Sequence, residues 1–302
     1  MGFVPHVVDI NGDGKVDIIS GSYNSKTTDK DNGKIAEIYV FYGQSDGCFG
    51  KRQVLGLCHI HAIASPVDWD DDGDYDLITA DRSRNGVCLM VNRGSRTVPR
   101  FDPPKPLIPE LPEKTAKELM ITSAAAVDWD GDGSKDLVVG TEWGNIFWFR
   151  NNGTIVNPEP RILIGTSTVG KTFEERRAIL KEHPWGSRLA ISVCDWDGDG
   201  ITDVLAGDSK RETLAEEEVL VGASKEEIEA YGQAQSKMTE YSDKSRQLRE
   251  EKYKKEMSQE EKDIYLKESR ALSETYRPYR ELIRKYPRSF SHGYVWIFKG
   301  VK

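Results

Sequence analysis

The sequence predicts an all-β protein in which four-stranded antiparallel sheets repeat along the chain and an antiparallel α-helical hairpin is inserted into the last of them. Three observations support this prediction. An acidic nine-residue motif occurs four times, short β-rich segments flank each copy, and residues 209–290 have the apolar spacing of helices. The chain has 302 residues, of which 37% are hydrophobic. No apolar run approaches the roughly 18–20 residues needed to cross a bilayer, which excludes a transmembrane helix.

The repeated motif has Asp or Asn at position 3, Asp at positions 1, 5 and 9, and Gly at position 6. A hard cation such as Ca²⁺ takes six to eight oxygen ligands, and short side chains in a tight loop can converge on one ion. Glycine permits the sharp turn at position 6. Position 7 has no shared side-chain chemistry, so we expect only its backbone carbonyl to contribute. We therefore predict about four Ca²⁺ ions, one in each of four loops. The predicted ligands are Asp9, Asn11, Asp13, Lys15 and Asp17 in loop 1; Asp68, Asp70, Asp72, Asp74 and Asp76 in loop 2; Asp128, Asp130, Asp132, Ser134 and Asp136 in loop 3; and Asp195, Asp197, Asp199, Ile201 and Asp203 in loop 4.

The net charge of −8 agrees with bound cations. The four loops contain 17 carboxylates, and four Ca²⁺ ions would neutralise the chain. An EF-hand is excluded because position 12 is Ser20, Thr79, Val139 and Ala206 in place of the required Glu. Nucleic-acid binding is disfavoured by the sequence pI of about 5.4, since phosphate contacts require clustered Lys and Arg.

A repeat of about 60 residues with four short strands has the length of one β-propeller blade. Each loop joins the first and second strands of a blade. The predicted third strands are residues 38–42, 87–91, 146–149 and 294–298, and the fourth strands lie near Phe49, Phe101 and residues 161–164. The last repeat has no fourth strand. Either four blades close tightly, or the chain forms part of a larger ring or an open propeller completed by a partner, and unpaired sheet edges favour the second alternative.

The interruption of the last repeat predicts three segments: residues 1–208 with blades 1 to 3 and the start of blade 4, the helical hairpin 209–290, and the return strand 291–302. Ser224 and Glu227 form a capping-box pattern that opens one helix, and Ser258 and Glu261 open a second. Pro278 is expected to kink or divide the second helix.

The loop motif, followed by an apolar strand and by Gly21, Gly140 or Gly207, resembles the FG-GAP and VCBS repeats of calcium-binding β-propellers, including the integrin α-subunit head. The resemblance covers residues 1–208 and 291–302. The long insertion is similar to secreted bacterial, planctomycete-type proteins of unassigned function. The resemblance implies a calcium-stabilised propeller that is secreted, periplasmic or on the cell surface, with a signal upstream of this chain. It also implies a non-catalytic binding or adhesion module for protein or glycan partners.

The alternative is a carbohydrate-active enzyme similar to calcium-dependent polysaccharide lyases, or a glycan-binding lectin. No Ser-His-Asp order, nucleophile elbow or HExxH motif supports catalysis. We expect partners on the face opposite the calcium loops, formed by the hairpin and by turns whose aromatic and Arg residues are typical of interfaces. These turns contain Arg82, Arg84, Glu142, Trp143, His183, Trp185 and Arg188. Any one of these Trp residues is more often packed in the core or at its rim.

Three further patterns favour ordinary structural roles. Residues Gly165 to Thr172 match a P-loop but lack the parallel βαβ context, so an inter-blade link is the favoured interpretation. His59 and His61 form a possible metal pair without a third ligand nearby. Asn152 lies in a glycosylation pattern that a hairpin turn explains better. The four cysteines show no CxxC spacing, and we expect most to be buried thiols, with disulfides as the alternative: Cys48, Cys58, Cys88 and Cys194.

Overall fold

The computed structural model describes two compact units, one formed by residues 1–210 and 293–302 and one by residues 211–292. The described residues are 5–21, 28–29, 33–59, 63–81, 86–108, 115, 118–153, 156–168, 170–252, 258–287 and 289–300.

Four antiparallel sheets form the blades, and each contains one acidic loop between its first and second strands. The strands of the first two sheets are β1 (His6–Val8), β2 (Asp17–Gly21), β3 (Thr28–Asp29), β4 (Gly33–Phe41), β5 (Gln53–His59), β6 (Ile63–Val67), β7 (Asp76–Asp81), β8 (Gly86–Met90) and β9 (Lys105–Pro106). Those of the other two are β10 (Ile121–Val127), β11 (Asp136–Thr141), β12 (Ile146–Phe149), β13 (Arg161–Ile164), β14 (Ser187–Cys194), β15 (Asp203–Thr213), β16 (Ser289–His292) and β17 (Val295–Phe298). The strand orders in the four sheets are β1-β2-β4-β3 with β5 paired to β4, then β6-β7-β8-β9, β10-β11-β12-β13, and β14-β15-β16 with β17 paired to β15.

The predicted blade architecture is confirmed. Each acidic loop joins the first and second strands of a sheet, and the third strands β4, β8, β12 and β17 all pair antiparallel with the second. Fourth strands β5, β9 and β13 complete the first three sheets, whereas β17 pairs only with β15 among the described strands. A helix, α1 (Phe173–Glu182), lies in the link between the third and fourth sheets.

The four sheets pack in series through apolar clusters. Ile19 and Ile38 of the first sheet pack with Leu77 of the second, and Ile78 of the second packs with Val139 of the third. Val138 of the third sheet packs with Leu189, Ile191 and Val204 of the fourth. No closed ring is formed by the described residues, which is consistent with the open alternative.

Small polar side chains on the first strands bind neighbouring blades together. The Ser65 hydroxyl donates to the Ala124 carbonyl at 2.7 Å, and the Ser123 hydroxyl donates to the Leu189 carbonyl at 2.8 Å. This close approach requires a glycine on β11, since a Cβ at Gly140 would lie 2.8 Å from the Leu189 carbonyl oxygen. The first strands are therefore rich in Ser and Ala because the inner edges of the blades leave little space.

The helical unit contains α2 (Glu216–Val219), α3 (Lys225–Lys252), α4 (Gln259–Thr275), α5 (Arg277–Lys285) and β16. The capping box predicted at Ser258 and Glu261 is present, and Ser224 and Glu227 make the same reciprocal contacts. Pro278 lies in the first turn of α5, immediately after α4 ends. No helix in the described part of the chain is long and apolar enough to cross a membrane.

Tyrosines hold the helices in an antiparallel arrangement. Tyr231 near the start of α3 contacts Tyr286 just after α5, with ring centroids 5.9 Å apart. Further along α3, Tyr241 contacts Tyr276, which ends α4, at 5.4 Å. Tyr231 and Tyr276 are both buried, so this unit has a small aromatic core of its own.

Candidate metal centres

The Asp at position 9 connects each loop to the third strand of its blade. One carboxylate oxygen accepts the backbone N–H of position 2, and the other accepts a backbone N–H two residues beyond the third strand. The second set of contacts is Gly43 to Asp17 at 2.8 Å, Asn92 to Asp76 at 2.7 Å, Asn151 to Asp136 at 2.6 Å and Gly300 to Asp203 at 2.9 Å. All four aspartates are buried, at 0–2% exposure. The same internal connection is thus made in every blade.

The Asp at position 1 organises the turn itself. In loop 3, Asp128 accepts the backbone N–H of Asp132 at 3.0 Å and of Gly133 at 2.9 Å. Asp9 and Asp195 accept the equivalent N–H groups, and Asp68 accepts that of Gly73. Because a carboxylate oxygen has more than one lone pair, these bonds orient the side chains and leave them able to bind a cation.

Three of the four loops bring carboxylates together closely enough to hold a metal ion. In each of them, three carboxylates have one oxygen apiece within 4.8 Å of the other two. These groups are Asp68, Asp70 and Asp72 in loop 2; Asp128, Asp130 and Asp136 in loop 3; and Asp195, Asp197 and Asp199 in loop 4. In the described part of loop 1 no group of three carboxylates converges, since position 3 is Asn11 and the Lys15 ammonium binds Asp13 at 2.9 Å.

The carboxylates of loop 2 repel one another. Oδ1 of Asp68 is buried without a hydrogen-bond partner, and Oδ1 of Asp74 is also buried. Burial, and then the charges of Asp72, Asp70 and Asp68, raise the pKa of the Asp74 carboxyl. Burial also raises the pKa of Asp76, with a contribution from Asp70 and Asp72. A bound cation would compensate these costs, so the residues of loop 2 fit a metal ion.

The side chain of Asp74 was not anticipated as a ligand. The variable chemistry of position 7 predicts a contribution from the backbone alone, yet Oδ1 of Asp74 is buried and its carboxyl interacts with the charges of Asp72, Asp70 and Asp68, so it is a further candidate donor in loop 2. The donors of all four loops are oxygens, which hard cations such as Ca²⁺ prefer over nitrogen and sulfur ligands.

Basic side chains bind carboxylates of the other loops. Arg150 Nε lies 2.5 Å from an oxygen of Asp130, and Arg150 Nη2 lies 3.0 Å from Asp132. Lys299 Nζ lies 2.6 Å from Asp197 and lowers the pKa of that carboxyl. In loop 1, hydrogen bonds from Lys15 are the main cause of the lowered pKa of Asp13. These cations come from outside the motif in loops 3 and 4, so the motif alone does not reveal them.

The P-loop-like segment has no free phosphate cradle among its described residues, which exclude Val169. The Gly170 N–H donates to the Glu118 carboxylate at 2.9 Å, and the Lys171 N–H donates to the Thr168 carbonyl. Thr172 and Glu175 form a reciprocal capping box at the start of α1. The backbone N–H groups of Gly170, Lys171 and Thr172 are therefore used within the link, which supports the interpretation as an inter-blade link.

Several predicted features lie outside the described residues or differ from expectation. For the pair His59 and His61, only the backbone of His59 is among the described residues. Residues 82–85 and Thr154 of the glycosylation pattern lie outside them. None of the four cysteines forms a disulfide, but only Cys58 and Cys88 are buried. Cys48 and Cys194 are exposed because Cys48 lies in a turn and Cys194 ends β14 at loop 4.

The aromatic residues predicted for an interface are mostly packed inside the first unit. Trp143 is 6% exposed and contacts Phe173 of α1, with ring centroids 5.6 Å apart. His183 is also buried, and its ring lies 5.0 Å from that of Trp185. Arg188 remains largely exposed and pairs with Glu142 at 3.1 Å. Trp143 and His183 therefore stabilise the inter-blade link and are not exposed interface anchors.

The fold and the loops define a propeller-type protein made of antiparallel blades with acidic loops at one end of each sheet. Residues 68–139 and 128–206 match the family model of the FG-GAP-like repeat, so the chain contains repeats of this propeller-type family. The predicted likeness to planctomycete-type proteins stays a prediction.

The chain is similar to integrin alpha pat-2 of Caenorhabditis briggsae, with 28% identity over 182 residues. The match covers 54% of this chain and only 14% of that relative. A solved structure described as BBS1N in complex with ARL6DN, soaked with lead, aligns with a TM-score of 0.33 and 17% identity over 69% of this chain and 51% of that one. This score is too low to establish a common fold.

Proposed function

We propose that this chain is a calcium-stabilised, non-catalytic binding module that works outside the cytoplasm and recognises a protein or glycan partner. The proposal is based on the contacts that the four loops have in common. In all four, the position 9 carboxylate joins the loop to the third strand, and in three of them further carboxylates converge near it. An ion held there would fix the end of each blade.

The proposed role of calcium is structural. An ion that binds only the folded chain stabilises it by mass action. The ligands in each loop come from one short segment, so an ion holds that segment in its turn conformation and relieves the repulsion between its carboxylates. The loops lack the Glu at position 12 that strengthens EF-hands. We therefore expect affinities suited to extracellular calcium concentrations, which supports a location outside the cytoplasm.

The proposed partner surface lies at the ends of the blades opposite the calcium loops. Because successive strands are antiparallel, the β11–β12 turn lies at the other end of its sheet from loop 3. The exposed Arg188 guanidinium is paired with Glu142 of this turn. Arginine is enriched in protein interfaces. The likeness to an integrin α-subunit favours a protein partner, and the helical unit is inserted in the same type of connection of the fourth blade.

Calorimetry tests the calcium proposal directly. We expect the melting temperature to rise with added Ca²⁺ and to fall with excess chelator, while Mg²⁺ has a smaller effect because it demands a tighter octahedral geometry. A melting temperature that is unchanged by both calcium and chelator would contradict the proposal.

The binding role is tested with arrays of glycans and of extracellular proteins, probed in calcium and in chelator. A matched variant in which a short linker replaces residues 212–288 tests the contribution of the helical unit. We expect this variant to remain folded and to bind calcium while it loses or weakens partner binding. Release of an unsaturated product from an acidic polysaccharide would instead support the lyase alternative.

A further inference from the structure

We propose that the residue immediately after the third strand of each blade sets the calcium affinity of that blade's loop. This residue, called here the post-strand residue, is Tyr42, Val91, Arg150 or Lys299 in blades 1 to 4. A cationic post-strand residue acts as an internal competitor that calcium must displace. The inference rests on the proposed function, because it concerns how the same loops are regulated.

The position of the post-strand residue is fixed by the blade itself. The next residue along the chain donates its N–H to the position 9 Asp in every blade, for example Asn92 to Asp76 and Asn151 to Asp136. The post-strand side chain is thereby held beside the acidic loop. In blade 3 the Arg150 guanidinium contacts Asp130 and Asp132, and in blade 4 the Lys299 ammonium contacts Asp197.

Position 3 is the shared target of both cations. Asp130 and Asp197 belong to the converging carboxylates of their loops, so each cation binds a group that a metal ion would also use. A metal ion and a basic side chain cannot both receive the full electrostatic benefit of the same carboxylate. Calcium binding to loops 3 and 4 must therefore include the loss or weakening of an ion pair.

Loop 2 has no such competitor at the post-strand position, where Val91 is apolar. Among the described residues, Lys135 contacts Asp71, which is at position 4 and is not one of the converging ligands, and the Arg96 guanidinium donates to the Gly73 carbonyl at 3.2 Å. Loop 2 also contains the buried, unpaired Oδ1 of Asp68. It therefore combines the largest number of carboxylates with converging carboxylates that no described basic side chain contacts.

Loop 1 has a different competitor. Its post-strand residue is Tyr42, but Lys15 at position 7 binds Asp13. Loop 1 also has Asn11 in place of an Asp at position 3. We infer that loop 2 fills at the lowest calcium concentration and that loops 1, 3 and 4 fill at higher concentrations.

Terbium luminescence can report loops 2, 3 and 4 separately, because Tb³⁺ replaces Ca²⁺ and is sensitised by a nearby indole, whereas position 2 of loop 1 is Ile10. Position 2 is Trp69 in loop 2, Trp129 in loop 3 and Trp196 in loop 4. Single Trp→Phe variants identify which part of the signal belongs to which loop. Calorimetric titration with Ca²⁺ on the same full-length variants provides a second readout.

The decisive experiment exchanges the post-strand residues. Arg150→Val should lower the Tb³⁺ concentration that half-saturates loop 3, and Lys299→Val that of loop 4, by about two- to fivefold, the range set by partly exposed ion pairs. Val91→Lys should raise the half-saturation concentration of loop 2 by a similar factor. Arg93→Gln is the matched control, because the Arg93 guanidinium pairs with Asp102, which belongs to none of the four loops.

Ordered filling with loop 2 first, and opposite shifts in the Arg150→Val and Val91→Lys variants, would support the inference. If Tb³⁺ and Ca²⁺ bind but the exchanges leave every half-saturation concentration unchanged, the inference is wrong while the calcium proposal stands. If neither ion binds at any loop, the calcium proposal itself fails. Circular dichroism confirms folding, and Lys299→Val provides an independent test if Val91→Lys does not fold.

Discussion

Asp136 accepts the backbone N–H of Asn151 at 2.6 Å, which joins the end of the third acidic loop to the chain beyond β12. Its other oxygen accepts the N–H of Trp129 at 3.2 Å. The carboxylate is fully buried and holds three segments of one blade in register. The position 9 Asp is thus a structural residue of the blade as well as a candidate metal ligand.

Replacing this carboxylate should destabilise the protein even when calcium is removed. Asp136→Ala leaves two partly buried N–H groups without their acceptor, and we expect a loss of about 2–4 kcal/mol in the free energy of unfolding. Urea denaturation in excess chelator measures this loss. Asp71→Asn is the control, since the exposed position 4 residue should change stability by less than about 0.5 kcal/mol. Equal effects of the two substitutions would show that Asp136 acts only through the metal.

The close approach of the third and fourth sheets gives a second prediction. A Cβ at Gly140 would lie 2.8 Å from the Leu189 carbonyl oxygen and 2.9 Å from the Ser123 hydroxyl. Gly140→Ala should therefore force β11 and β14 apart and cost about 1–3 kcal/mol. Gly207, at the same motif position in blade 4, is the matched control, because its Cβ would meet only the Ala190 carbonyl at 3.8 Å. Thermal unfolding that shows no difference between Gly140→Ala and Gly207→Ala would contradict this explanation.

The motif predicted the strand order and the acidic loops because both are local in sequence. The capping boxes at Ser224 and Ser258 could also be predicted from the sequence, since each depends on residues three positions apart. The pairing of Lys299 with Asp197 could not be predicted, because the two residues are 102 positions apart and the helical insertion lies between them. Core packing was an alternative for Trp143, but its contact with Phe173 could not be predicted because it depends on α1 packing against the blade.

The tryptophans at position 2 give a third prediction, because their packing depends on the neighbouring blade. Trp129 packs in the cluster between the third and fourth sheets, whereas Trp196 is 57% exposed. Trp129→Ala should cost about 2–3 kcal/mol, while Trp196→Ala should stay within about 0.5 kcal/mol. Chemical denaturation of the two variants measures the difference. A similar loss for Trp196→Ala would indicate that another surface covers the fourth blade in solution.

The helical unit should lose stability in acid over a defined range of pH. The Lys285 ammonium, the Ser224 N–H and the Tyr286 hydroxyl lower the pKa of Glu227 from 4.5 to about 2. A lowered pKa in the folded state means that the ionised carboxylate stabilises the fold. This contribution is present above the unfolded pKa of 4.5 and is lost as the pH falls from there to about 2.

Glu227→Gln should therefore be less stable than the unmodified chain at neutral pH and should lose less stability as the pH falls. The helical circular dichroism signal, followed in urea from about pH 6 to about pH 2, measures this difference. Glu240, whose pKa is also lowered to about 2 by Lys237 and Lys244, titrates in the same range and should preserve part of the transition in the variant. Glu229→Gln, at an exposed position on the same helix, is the control. Parallel pH profiles for the unmodified chain and Glu227→Gln would show that the Lys285 contact does not stabilise the helices in solution.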